Sequence, residues 1–97
     1  MAHQTTGNPL IYDESADASW TGTKYVKLVQ VIDDAGDIAA NDVFVIKANG
    51  ITITVKVSAI DNTASVVHWQ YGPFDKGVPW DDAVFTITHG VIAVWTE

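Results

Sequence analysis

The dipeptide Asn49-Gly50 separates two strand-like runs, the β-branched and aromatic Val43-Phe44-Val45-Ile46-Lys47-Ala48 and the alternating Ile51-Thr52-Ile53-Thr54-Val55-Lys56-Val57. Asn and Gly tolerate the positive φ angles of a two-residue type I′ turn, whose twist matches that of the strands it joins. The spacing predicts a β-hairpin and its register: Ala48 opposite Ile51, Ile46 opposite Ile53, Phe44 opposite Val55. These six residues share one face, which belongs in a core. Lys47, Thr52, Thr54 and Lys56 fall on the other, which is mostly solvated. Val43 and Val45 share that wetter face, so the base of the strand calls for cover, and the N-terminal segment is the candidate.

The remaining chain reads the same way. Tyr25 to Ile32 is rich in β-branched residues and stops at Asp33-Asp34-Ala35-Gly36-Asp37, a cluster of turn formers. Asp61-Asn62-Thr63 is a further turn, and Ala64 to Tyr71 reads as a strand with Val67, Trp69 and Tyr71 inward and Val66, His68 and Gln70 outward. Residues 72–82 hold two prolines and two glycines and read as a loop. A last hairpin is expected from Ala83–Thr88 and Val91–Thr96 around His89-Gly90, with Phe85 opposite Val94 and Ile87 opposite Ile92. Ser58-Ala59-Ile60 and Ile38-Ala39-Ala40 amount to single turns at most. Residues 1–22 differ: polar apart from Pro9-Leu10-Ile11-Tyr12 and Trp20, they read as an arm whose short apolar patch docks as an edge strand on its own sheet or on a neighbour's. The expectation is an all-β chain: an N-terminal arm over 1–22 and a single β domain over 23–97, an antiparallel β-sandwich or small barrel of six to seven strands.

Charge narrows the function classes. Twelve acidic residues against five basic ones give −7, and all five basic residues are lysines. A surface of that sign does not neutralise phosphates, and without arginine there is no bidentate fork for bases or phosphates, so neither nucleic acid nor an anionic membrane is an expected partner. Cysteine is absent, which removes disulfides, thiolate metal sites and cysteine nucleophiles. Stability therefore rests on burial, and a domain of this size buries only about 60–65% of its unfolded surface, so assembly with other subunits is a natural supplement. The opening Met1-Ala2-His3-Gln4-Thr5-Thr6 has no cationic start or apolar core of a signal peptide, and synthesis in the cytoplasm is expected.

No catalytic or metal motif emerges. The acids cluster as Asp13, Glu14 and Asp17, as Asp33, Asp34 and Asp37, and as Asp81 and Asp82, all of which read as turns. The cluster at Asp33, Asp34 and Asp37 with Gly36 lacks the alternating oxygen ligands and distal Glu of a calcium loop, so turn chemistry is the simpler reading there. His3, His68 and His89 have no metal spacing. His68 fits a surface or subunit contact, although it is also the nearest approach to a hydrolase-like histidine embedded in a strand. No cofactor is implied. Of the four tryptophans, Trp69 reads as core, Trp95 fits either face, and Trp80, in the loop with Phe74, is a candidate for an exposed contact. Val84, Val91, Ala93 and Trp95 form a second apolar face on the final pair of strands, too apolar for a wet surface.

Gly7-Asn8-Pro9-Leu10, Asp13, Trp20-Thr21-Gly22 and the strand Lys27-Leu28-Val29-Gln30-Val31-Ile32 resemble small proteins of tailed bacteriophages over about the first third of the chain. The resemblance implies a non-enzymatic virion structural protein, a capsid decoration or cement protein or else a small tail or adaptor component, whose partners are coat or tail subunits and copies of itself. The expected assembly contacts are Pro9, Leu10, Ile11, Tyr12, Val84, Val91, Ala93 and Trp95, in a homo-oligomer such as a trimer. A competing reading is a carbohydrate-binding sandwich with Trp80, Phe74 and Trp20 as stacking faces and Asp81, Asp82 and Asn62 as hydroxyl partners.

Overall fold

The Asn49-Gly50 turn sits at the tip of a hairpin with the expected register, Ala48 opposite Ile51, Ile46 opposite Ile53 and Phe44 opposite Val55. A computed structural model provides the fold for residues 3–4, 6–13, 18–33, 38–57 and 66–97. The strands, in chain order, are β1 (Leu10–Tyr12), β2 (Thr23–Asp33), β3 (Val43–Ala48), β4 (Ile51–Lys56), β5 (Val66–Tyr71), β6 (Val78–Asp81), β7 (Val84–Thr86) and β8 (Val91–Thr96). They form two antiparallel sheets, and no helix occurs among the described residues. The larger sheet runs β1-β8-β2-β5 with β6 also on β2; the smaller runs β4-β3-β7. The chain is a small β-sandwich.

β2 organises the larger sheet. One side pairs with β8, while the other pairs with β6 through its first half and with β5 through its second. β6 lies inside the segment expected to be a loop. Pro79 is tolerated there because β6 is a short strand at an edge, where a missing donor breaks no ladder. Lys27 is a bulge, since Val26 pairs with Thr96 and Leu28 with Trp95. The extra residue lets Val26 and Val29 both face inward and turns Leu28, Gln30 and Ile32 outward.

A second bulge corrects the expected facing of β5. Val31 pairs with Trp69 and Ile32 with Val67, so His68 is the residue left over. Trp69 and Tyr71 keep the inward phase and pack against the core, but Val67 is thrown outward and is 43% exposed. The His68 side chain, expected outside, is buried against Asp33, with Nε2 3.9 Å from its carboxylate. Asp33 is likewise fully buried at the end of β2 instead of standing in a solvated turn.

The expected final hairpin does not form. β7 pairs with β3 in the smaller sheet, and β8 pairs with β1 and β2 in the larger. Type I′ needs positive φ at both central residues and type II′ needs glycine first, and His-Gly meets neither requirement, since only Gly90 has positive φ. His89-Gly90 is instead a corner between the sheets. Phe85, Ile87, Ile92 and Val94 are all buried as expected, but they meet across the core and not along a ladder.

That core continues into the N-terminal segment. Leu10 and Tyr12 are buried, and so are Ala18 and Trp20. Tyr12 stacks on Phe85 at 5.0 Å between ring centroids, Trp20 meets Phe85 edge-on at 5.5 Å, and Trp20 stacks on Trp80 at 6.4 Å. The Trp20 indole N–H donates to the Trp80 carbonyl, so this large ring is buried with its one donor satisfied. The smaller sheet's outer residues Val43 and Val45 are half-buried, and the arm that was expected to cover them instead adds β1 to the larger sheet and runs beside β7, at the far edge of the smaller one, through residues 18–20.

Candidate functional site

Most strand edges are closed by local backbone mimicry. Beside β1, Gln4 and Ile11 exchange backbone hydrogen bonds at 2.8 and 2.9 Å. The Asn8 carboxamide accepts from the Thr96 N–H and donates to the Thr96 carbonyl. Along β7, the Phe85 N–H donates to the Ala18 carbonyl and the Trp20 N–H to the Ala83 carbonyl. β6 is held by Asn49, whose side chain accepts from the Asp81 N–H and donates to the Pro79 carbonyl. β4 and β5 remain as outermost strands of their sheets, and a cleft of about 160 Å³ opens between the β3–β4 hairpin (Ala48, Asn49, Ile51, Ile53) and the larger sheet at β6 (Val78, Trp80) and the end of β5 (Tyr71).

The outer face of the larger sheet is apolar. Ile11, Ala93, Gln30 and Gln70 lie side by side in one row, with Val91, Ile32 and Val67 in the row on one flank and Trp95 and Leu28 on the other. Among the described residues of these rows the polar side chains are Gln30 and Gln70, and the Gln30 carboxamide donates to that of Gln70 at 2.9 Å. The outer face of a free antiparallel sheet normally alternates to polar residues; here Val91 and Ala93 are already buried within the chain, and the apolar surface left for a partner is the exposed Val67 with the half-buried Ile11, Leu28, Ile32 and Trp95.

Of the expected assembly contacts, the fold brings Ile11, Val91, Ala93 and Trp95 together on this side of the sheet, but Val91 and Ala93 are buried within the chain, which leaves Ile11 and Trp95 open to a neighbour. Val84 is not with them: it lies on the outer face of the smaller sheet, paired with Lys47. Pro9 is half-buried just ahead of β1, whereas Leu10 and Tyr12 sit in the chain's own core and offer nothing to a neighbour in this conformation. Trp80 is also core, 4% exposed, because β6 turns its ring between Trp20 and Tyr71; the expected exposed contact at this residue is corrected. Trp80 and Trp20 are thereby unavailable as sugar-stacking faces, Phe74 packs edge-on against Tyr71, and Asn62 lies outside the described residues. The face also includes Leu28, Ile32 and Val67, which the sequence reading did not single out. The signal for Leu28 and Ile32 was the presence of apolar residues in both alternating sets of β2, whereas the two bulges concealed the phase.

Each histidine stands beside one aspartate, in three separate places. His3 Nδ1 is 3.2 Å from the Asp13 carboxylate, His68 faces Asp33, and His89 Nδ1 is 2.8 Å from Asp42. The Ala39 N–H and then His89 hold the Asp42 carboxyl below its ordinary range, while burial raises the Tyr12 phenol. Among the described residues no group of three His, Asp or Glu side chains converges to hold a metal ion, and no helix is long and apolar enough to cross a membrane. Asp34 and Asp37 of the acidic turn, Glu14 and Asp17 of the arm, and Ser58-Ala59-Ile60 lie outside the described residues. Comparison of the chain with protein-family models, with curated proteins and with solved structures returned no match.

Proposed function

We propose that this protein is a non-enzymatic structural component of a tailed-phage particle, a capsid decoration or cement protein made in the host cytoplasm and incorporated into the virion. The observation that carries the reading is the apolar outer face of the five-stranded sheet, where Val67 is exposed and Ile11, Leu28, Ile32 and Trp95 are half-buried. The N-terminal strings described above supply the viral setting, and the net charge of −7 suits a surface that stays clear of packaged nucleic acid. The occupant of the face is a coat subunit, and further copies of this chain complete a closed ring such as a trimer.

The mechanism is coverage. Docking removes Ile11, Ile32, Val67 and Trp95 from water, and apolar burial contributes about 25 cal/mol per Å² before the cost of immobilisation. Trp95→Asp places a charge in the middle of that contact. Mass spectrometry of purified particles grown from the genome that encodes the chain should find the protein, and the variant should fold yet fail to add to particles. Absence from the particles, or undiminished addition of the Trp95→Asp protein, would sink the reading.

A further inference from the structure

We propose that the open side of the sandwich is a second, independent binding site, where β4 takes up an extended segment whose apolar residues alternate with acidic ones. The hairpin itself sets the geometry. In a two-residue hairpin the pair flanking the turn is hydrogen-bonded, so Ile51, Ile53 and Val55 spend their backbone groups on β3. The N–H and C=O groups of Thr52, Thr54 and Lys56 then point away from the sheet, and no described residue pairs with them. β1, β6 and β7 are each closed by another part of the chain, whereas β4 carries no proline, bulge or inward charge to block pairing.

The side-chain chemistry selects the occupant. A strand added to β4 would point alternate residues into the apolar cleft, beside Ile53, Tyr71, Val78 and Trp80 and under Ile51, which is 64% exposed at the lip. Its other residues would lie beside Thr52, Thr54 and Lys56 on the outer face. The smaller sheet has no carboxylate in any of its strands but carries Lys47 and Lys56 there, an inversion of sign in a chain of net charge −7. The ion pairs among the described residues all involve histidine, so neither lysine is neutralised by them. Asp42, adjoining β3, is engaged by His89 and Ala39, and Asp81 by the Thr23 hydroxyl. Acidic side chains on the added strand would answer Lys56 directly and Lys47 one strand further in. A second copy's β4 would instead extend one sheet face with two more lysines, which like-charge repulsion disfavours.

The probes are two synthetic heptapeptides, one alternating Glu with Val and Leu, the other alternating Lys with the same residues, each titrated into the isotope-labelled full chain and followed by amide NMR. The Glu peptide should shift the amides of Thr52, Thr54 and Lys56 saturably, bind more weakly as salt rises, and outbind the Lys peptide by about tenfold. Lys56→Glu should reverse that preference. Thr54→Pro removes only an outward N–H, so it should abolish binding with the β3–β4 ladder intact; if it does not fold, the exposed Lys56→Glu substitution carries the test. Trp95→Asp, on the other sheet, should leave binding unchanged. No saturable shift with millimolar Glu peptide, equal binding of the two peptides, or concentration-dependent shifts of the same amides without peptide would each overturn the proposal, the last by naming a second copy as the occupant.

Discussion

Asn49 holds the backbone of β6 with its side chain: the Asp81 N–H donates to its Oδ1 at 2.7 Å, and its Nδ2 donates to the Pro79 carbonyl at 2.9 Å. The carboxamide thus occupies the place of a neighbouring strand, and it ties the tip of the smaller sheet's hairpin to an edge of the larger sheet. Asn49 also adopts φ 55°, the left-handed conformation that the turn requires. The two roles separate by substitution. Asn49→Gly keeps the turn and loses both bonds, which should cost about 1–2 kcal/mol. Asn49→Ala adds the left-handed penalty of about 1 kcal/mol or more. Urea unfolding should rank them in that order, with the Asp81 amide losing exchange protection in both.

The N-terminal segment is a structural part of the sandwich in this conformation. Leu10 is 3% and Tyr12 1% exposed, and the Tyr12 ring stacks on Phe85. Leu10→Ala should cost about 2–5 kcal/mol, as for other buried large-to-small changes. Removal of residues 1–12 should lower the unfolding midpoint far more than loss of a free arm would, and chemical denaturation of the isolated chain checks it.

Gly90 is irreplaceable where β8 leaves the corner. Its φ is +78°, and a Cβ there would stand 2.6 Å from the Ile32 carbonyl oxygen and 2.7 Å from Ile38 Cδ1. Gly90→Ala combines left-handed strain with a clash against backbone, so a loss of at least about 2 kcal/mol is expected. Gly50→Ala has open space around it and should be costly only for its φ of +73°. Thermal unfolding of the two variants side by side measures the difference.

Asp42 makes stability depend on acid. The Ala39 N–H, and secondarily His89, lower its carboxyl in the folded state. A depressed folded value means the contribution is fully present above the unfolded value near about pH 4 and is lost as pH falls through the folded one. Asp42→Asn should therefore be less stable than the parent at neutral pH, by no more than about 1 kcal/mol because its partner His89 is open to solvent. The two proteins should converge as pH falls through the lowered folded value, which paired unfolding curves across acid pH would reveal.

The β3–β4 hairpin was readable to the residue because Asn-Gly specifies a turn type and the strict alternation of β4 specifies a face. The same kind of pattern misled at β7 and β8. Phe85 and Ile87 alternate inward, and so do Ile92 and Val94, but alternation states only that a strand has a buried face. It does not state whether the next strand lies beside it or across the core. The bulges at Lys27 and His68 were equally hidden, since nothing in Val26-Lys27-Leu28 or Val67-His68-Trp69 marks an extra residue. The apolar outer face was therefore half legible: Val91, Ala93 and Trp95 stood out on their own strand, while Leu28, Ile32 and Val67 joined them only through register.

Local chemistry alone determined the all-β character, the hairpin with its register, the sign of the surface and the lack of thiol chemistry, because each follows from residues close in sequence or from composition. Tertiary structure decided which strands are neighbours, that Trp20 and Trp80 fill the core instead of facing solvent, and that Val84 stands apart from Val91. It also decided which edges are closed. Those outcomes depend on contacts between residues as distant as Asn8 and Thr96, or Asn49 and Asp81. The free energy of such contacts arises only when both partners have been brought together by the packing of the whole chain.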